Sequence, residues 1–151
     1  MSEESLSEAP SGGESLDGII RAATSARNCA LAQYSNFCVG AALEADGGRV
    51  FTGCNVESAA YEQTICAERV AIWKALSEGE RKFTRLAVVV DTERLTPPCG
   101  ACRQVIWEFC GDIPVVLANL RGRTQTYRMS ELLPHPFDAD FLKETGGAAD
   151  G

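Results

Sequence analysis

Apolar residues recur along the chain at two periods, and each change of period marks a change of element. Leu16, Ile19, Ile20, Ala23, Ala26 and Ala30 follow at helical spacing and predict an amphipathic helix over residues 16–32. Residues 37–43 and 49–54 flank Asp46-Gly47-Gly48, a turn whose glycines supply positive φ, so they read as a hairpin. Residues 55–65 read as a loop. Helical spacing returns over 66–78 with Val70, Ile72, Trp73 and Leu76, and stops at Gly79. Residues 86–90 form an unbroken, valine-rich apolar run, the pattern of a strand covered on both faces. A turn region over 92–98 leads to a helix over 99–110 that turns Val105, Ile106 and Phe109 inward. Residues 114–118 form another covered strand, paired across the turn 119–122 with 123–128. Glu131-Leu132-Leu133-Pro134 and a short helix near 138–143 complete the pattern.

The order α-β-β-α-β-α-β-β predicts an α/β fold, a mixed sheet of about five strands with helices on its faces. Right-handed crossovers bring the starts of the second and third helices together at one end of that sheet. With 151 residues, 45% hydrophobic and 23% charged, the chain is sized for one core. We expect one domain over 15–145, a disordered acidic leader over 1–14 and a flexible tail over 146–151. A net charge of −7 argues against tracking a phosphate backbone, hence against nucleic acid as partner. No basic, apolar leader and no apolar run of about 18 residues is present, so neither export nor membrane anchoring is expected, and a cytoplasmic location is.

The seven cysteines then point to metal or redox chemistry rather than a disulfide framework. Cys66-Ala67-Glu68 and Pro98-Cys99-Gly100-Ala101-Cys102 together offer three thiolates and an unattached carboxylate. Catalytic zinc keeps three protein ligands and an open position, whereas structural zinc is usually closed by four. Cys99 and Cys102, three apart, share one helix face, and helix starts favour thiolates. Arg69 and Arg103 stand near the ligands as counter-charges to an over-anionic centre. Glu68, two residues past Cys66, leaves the helix on another azimuth, free to face a metal-bound water with its pKa raised. A redox pair of Cys99 and Cys102 would fit the C-x-x-C spacing but leaves Cys66-Ala67-Glu68 without a role. For a closed site the fourth ligand would have to be Cys54; His135 sits between prolines in a loop, and Cys110 is about 12 Å along the helix from Cys102. Cys29, Cys38, Cys54 and Cys110 are expected to behave as small buried apolar residues.

C-A-E followed by P-C-x-x-C resembles the Cys₃ signature of zinc nucleoside and base deaminases, in which zinc activates water and a glutamate that is not a ligand shuttles protons. More closely, residues from about 16 to 143 resemble the small homotetrameric cytidine deaminases. The matching stretches are Tyr34-Ser35-Asn36-Phe37 with Val39-Gly40-Ala41-Ala42, the segment 51–57, residues 65–69, residues 98–105 and Glu131-Leu132-Leu133-Pro134. The resemblance implies a three-layer α-β-α fold and zinc-dependent hydrolysis of cytidine and 2′-deoxycytidine to uridine and 2′-deoxyuridine in pyrimidine salvage. It implies one Zn²⁺ per subunit on Cys66, Cys99 and Cys102, with Glu68 as proton shuttle. Asn55 and Glu57 would hold the ribose, Phe37 the pyrimidine ring, and the Ala67 backbone the base. Arg69 would hydrogen-bond ligand sulfur, while Tyr61 and Phe137 would reach the pocket or a neighbouring subunit of a homotetramer. Glu62 and Cys38 depart from the family pattern, which puts the shape of the loop 58–64 in question. Other readings are a deaminase of another cytosine nucleoside such as an antibiotic, or of polynucleotide cytosine, and a zinc-stabilised binding module without catalysis.

Overall fold

Ser15 opens the first helix, α1 (Leu16–Arg27), by accepting a 3.0 Å hydrogen bond from the amide of Gly18. A computed structural model describes residues 13–144. Apart from Gly13 and Glu14, the expected leader lies outside the described residues, as does the expected tail. α1 stops five residues short of the predicted end. The amide of Leu31 donates to Asn55 O and the carbonyl of Leu31 accepts from Glu57 N, so the chain leaves the helix to pair with the stretch after the second strand.

The hairpin is β1 (Val39–Ala45) and β2 (Val50–Cys54), with Gly48 at φ 92° in the turn. Then follow α2 (Ala67–Ser77), β3 (Phe83–Val90), α3 (Gly100–Cys110), β4 (Pro114–Ala118), β5 (Thr124–Arg128), α4 (Met129–Leu132) and α5 (Ala139–Glu144). The loop 55–65 contains a single 3₁₀ turn, Tyr61–Gln63, in which the unusual Glu62 is exposed. The five strands lie in the order β2-β1-β3-β4-β5. β3 and β4 are parallel, joined by α3, and every other pair is antiparallel.

Alternation along the central strands divides the core into two halves. Ala42, Ala87, Val89 and Val116 face Ile19 and Ala23 of α1. Leu43, Leu86, Val88 and Leu117 face the opposite way, onto Ile72 of α2 and Ile106 of α3. The result is the three-layer α-β-α arrangement expected from the sequence. One polar residue interrupts the α1 side: Glu44, 6% exposed, pairs with Arg85 at 2.9 Å and accepts from Thr84 Oγ1 and from the amide of Glu14. It ties the chain entering α1 to the sheet. No described helix is long and apolar enough to cross a membrane.

Two glycines set how closely the helices approach. A Cβ on Gly40 would stand 1.9 Å from the carbonyl oxygen of Ala23, and one on Gly53 would stand 2.4 Å from that of Ala67 and 2.6 Å from the amide of Ala71. The first turn of α2 therefore rests directly on β2. Gly53→Ala is expected to lower stability by about 1–3 kcal/mol through overpacking. Gly47→Ala, with open space around it, should leave the urea midpoint nearly unchanged; equal midpoints for the two variants would contradict the close approach.

Candidate active site and metal centre

Cys66 and Cys99 occupy equivalent places, each the residue capping the start of a helix, α2 and α3 respectively. Cys99 was expected one position further on, inside the first turn. Both have extended backbone, with ψ of 152° and 168°, and neither sulfur caps its own helix, which leaves the sulfurs free to turn outward. Cys102 lies one turn into α3 and is fully buried. All three sulfurs fall within 4.8 Å of one another, and those of Cys66 and Cys99 are 3.9 Å apart. Zinc–sulfur bonds of about 2.3 Å in a tetrahedron demand a sulfur separation of about 3.8 Å. The donor set thus fits zinc.

The charges around the cluster fit it as well. A hydrogen bond from Cys102 and the nearby Arg69 guanidinium hold the Cys66 thiol well below the ordinary thiol range. The same hydrogen bond to Cys66, together with burial and the Glu68 charge, drives the Cys102 thiol the other way. A cation among the three sulfurs would favour their ionised forms. Arg69 Nη2 donates to Cys66 Sγ at 3.5 Å, and Arg69 Nε is buried without a hydrogen-bond partner among the described residues.

The other candidates of the sequence separate clearly. Arg103 does not serve the sulfurs; its Nε donates to Pro98 O and its Nη1 to Leu132 O, both at 2.8 Å, so it braces the start of α3 against α4. Cys54 lines a shallow cavity with Cys29 and Lys74, away from the cluster, and His135 is an exposed residue at φ 53°. Burial pushes the Cys110 thiol up to about 12, as expected of a small core residue. Cys29 corrects that expectation: it is exposed, because α1 ends at Arg27 and Cys29 falls in the turn beyond it.

A cavity of about 310 Å³ opens onto Cys66 and Cys99. Phe37, Val39, Ile65, Val88 and Val90 supply most of its apolar wall, and Asn55, Glu57 and Glu68 its main polar groups. Glu68 is 5% exposed and accepts from Cys102 Sγ at 3.8 Å; burial pushes its carboxyl up to about 7. Asn55, 8% exposed, accepts from the amide of Val39 at 2.9 Å and donates to the carbonyl of Phe37 at 2.7 Å. Glu57 accepts from the amides of Tyr34 and Ser35 and, at 2.5 Å, from Ser35 Oγ, and these bonds lower its pKa. Both residues therefore hold the segment 34–39 in place as one wall.

Ser35, Thr64 and Thr96 also line the cavity and were not singled out from the sequence. For Ser35 the available signal was its place beside Phe37 in Tyr34-Ser35-Asn36-Phe37. Ala67 is buried in the first turn of α2 and lies outside the cavity wall. Tyr61 is 79% exposed, edge-on to Tyr34, and Phe137 is 59% exposed, stacked on Phe141; neither lines the cavity within one chain.

Residues 14–118 match the family model described as the cytidine and deoxycytidylate deaminase zinc-binding region. The chain is 49% identical over 128 residues to a cytidine deaminase of Sporosarcina psychrophila, covering 84% of this chain and 94% of that one. It is 50% identical over 127 residues to a cytidine deaminase of Halalkalibacterium halodurans, covering 83% and 96%. The crystal structure of cytidine deaminase from Burkholderia pseudomallei superposes with a TM-score of 0.80 at 46% identity, covering 82% of this chain and all of that one. The matched stretch runs through Cys66, Glu68, Cys99 and Cys102, and with relatives sharing about half its residues the chain belongs to the cytidine and deoxycytidylate deaminase zinc-binding family.

Proposed function

We propose that the chain is a cytidine deaminase that converts cytidine and 2′-deoxycytidine, with water, to uridine and 2′-deoxyuridine and ammonia. The observation that carries this reading is the placement of Glu68: a buried carboxyl beside a ligand sulfur, in the wall of a cavity whose other carboxylate is Glu57. Cys66, Cys99 and Cys102 would hold one zinc ion per chain. Zinc, when bound, lowers the pKa of a coordinated water toward neutrality. Glu68 takes a proton from water, delivers it to N3 of the pyrimidine, and carries the next to the departing amine. A carboxyl whose pKa is near 7 gives and takes protons with comparable ease. Three thiolates on a dication leave one excess negative charge, which the Arg69 guanidinium offsets.

Phe37 and the valines offer an apolar slot for the ring, while Asn55 and Glu57 retain lone pairs and an amide hydrogen for the ribose hydroxyls. Tyr61 and Phe137, exposed on the single chain, suit contacts with neighbouring copies in a homotetramer, and the assignment of the Ala67 backbone to the base follows from the family resemblance alone. We further read residues 15–145 as one domain acting in pyrimidine salvage in the cytoplasm.

Glu68→Gln is expected to retain one zinc per chain and lower kcat by roughly 10²–10⁴-fold; near-normal loss of the cytidine absorbance band would sink the proton-shuttle role. Arg69→Ala should weaken zinc binding by about 10–100-fold in a chelator competition, with the fold intact by circular dichroism. Glu57→Gln should raise KM for cytidine by roughly 10-fold, consistent with a charged hydrogen bond, and change kcat less. Turnover of another cytosine nucleoside with none of cytidine would redirect the substrate assignment.

A further inference from the structure

Pro97 lines the substrate cavity and also a second one, of about 390 Å³, that the deaminase reading leaves unused. Arg94, Arg103 and Arg123 all line the second cavity, together with Leu95, Leu117 and Leu132. Strand alternation accounts for one wall: Arg123, Gln125 and Tyr127 are spaced by two and all line it, with Leu117 directly opposite Gln125 across the β4–β5 pair.

The cationic side is rigidly built. Asn119, 5% exposed, donates to Thr92 O at 2.9 Å and accepts from the amides of Arg121 and Arg123 at 3.0 Å. One buried side chain therefore fixes both the segment carrying Arg94 and the turn carrying Arg123. Arg123 Nη1 donates to Glu93 O at 3.0 Å, and Arg103 is braced by two carbonyls as described above. Carbonyl oxygens orient a guanidinium without neutralising it. Among the described residues none of these three arginines forms an ion pair, whereas Arg49, Arg85 and Arg128 do, in a chain whose net charge is −7. Three arginines on one cavity, two of them braced by carbonyls and none in an ion pair among the described residues, are suited to a phosphate dianion, which guanidiniums can bind in bidentate fashion. Leu95, Leu117, Leu132 and Tyr127 in the same lining suit a less polar body attached to it.

We propose that this cavity is a second ligand site, separate from the substrate cavity, for a small phosphate-bearing molecule with a flat, less polar body, a nucleoside phosphate by class. The test is calorimetric titration of the zinc-loaded protein at low salt with ADP, adenosine and inorganic phosphate. ADP should bind saturably, more tightly than inorganic phosphate, while adenosine should not bind in this range. The Arg94→Ala/Arg123→Ala double variant should bind ADP at least about 10-fold more weakly and turn over cytidine as the unmodified protein does. Failure of ADP to bind, equal binding by protein and variant, or inorganic phosphate binding as tightly as ADP would overturn the proposal. Cytidine turnover in the same preparations reports separately on the deaminase reading.

Discussion

Three sulfurs within 4.8 Å of one another form a concentration of potential negative charge that the fold has to organise around a cation. Two sulfurs sit on helix-capping residues, where the dipoles of α2 and α3 favour anions, and the third lies one turn inside α3. The sheet makes this meeting possible. β2 carries α2 at close range because Gly53 has no side chain, and the β3-α3-β4 crossover returns α3 beside α2 on the same face. Arg69, one turn along from Cys66, then supplies a positive charge to the cluster.

Burial, and after it the same concentration of charge, sets the state of Glu68. An exposed carboxylate in the first turn of a helix would be ionised and would only complement the dipole. Buried at the cavity wall near anionic sulfur, Glu68 loses hydration while gaining repulsion, so its neutral and charged forms become close in free energy. Glu57, on the same cavity but fed by two amides and a hydroxyl, is pushed the other way and stays charged. Burial thus sets the state of one carboxyl and hydrogen bonds that of the other.

Much of this was legible in the sequence because it depends on short-range spacing. The helix periods, the Asp46-Gly47-Gly48 turn and the i, i+3 relation of Cys99 and Cys102 are local, and they gave the order of elements and two of the three sulfurs, whereas Cys66 joined them through its motif and the three layers through the family resemblance. Errors arose where partners distant in sequence decide the outcome. α1 ends early because Leu31 pairs with the stretch at 55–57, and Cys29 is exposed as a result. Arg103 reads as a counter-charge to its neighbour Cys102, yet it reaches the carbonyl of Leu132, twenty-nine residues away. Glu44 carries no sequence signal of its burial, since its compensation comes from Arg85 and Thr84 on the adjacent strand.

Asn55 spends both halves of its amide on the backbone flanking Phe37, and Glu57 does much the same for Tyr34 and Ser35. Asn55, Glu57 and the cavity wall that carries Phe37 are consequently one mechanical piece. Under the proposed assignment, a lineage drifting toward a different sugar could not exchange Asn55 alone without displacing Phe37. Change at this wall would have to come in coordinated steps across the whole segment, because of how the wall is fastened.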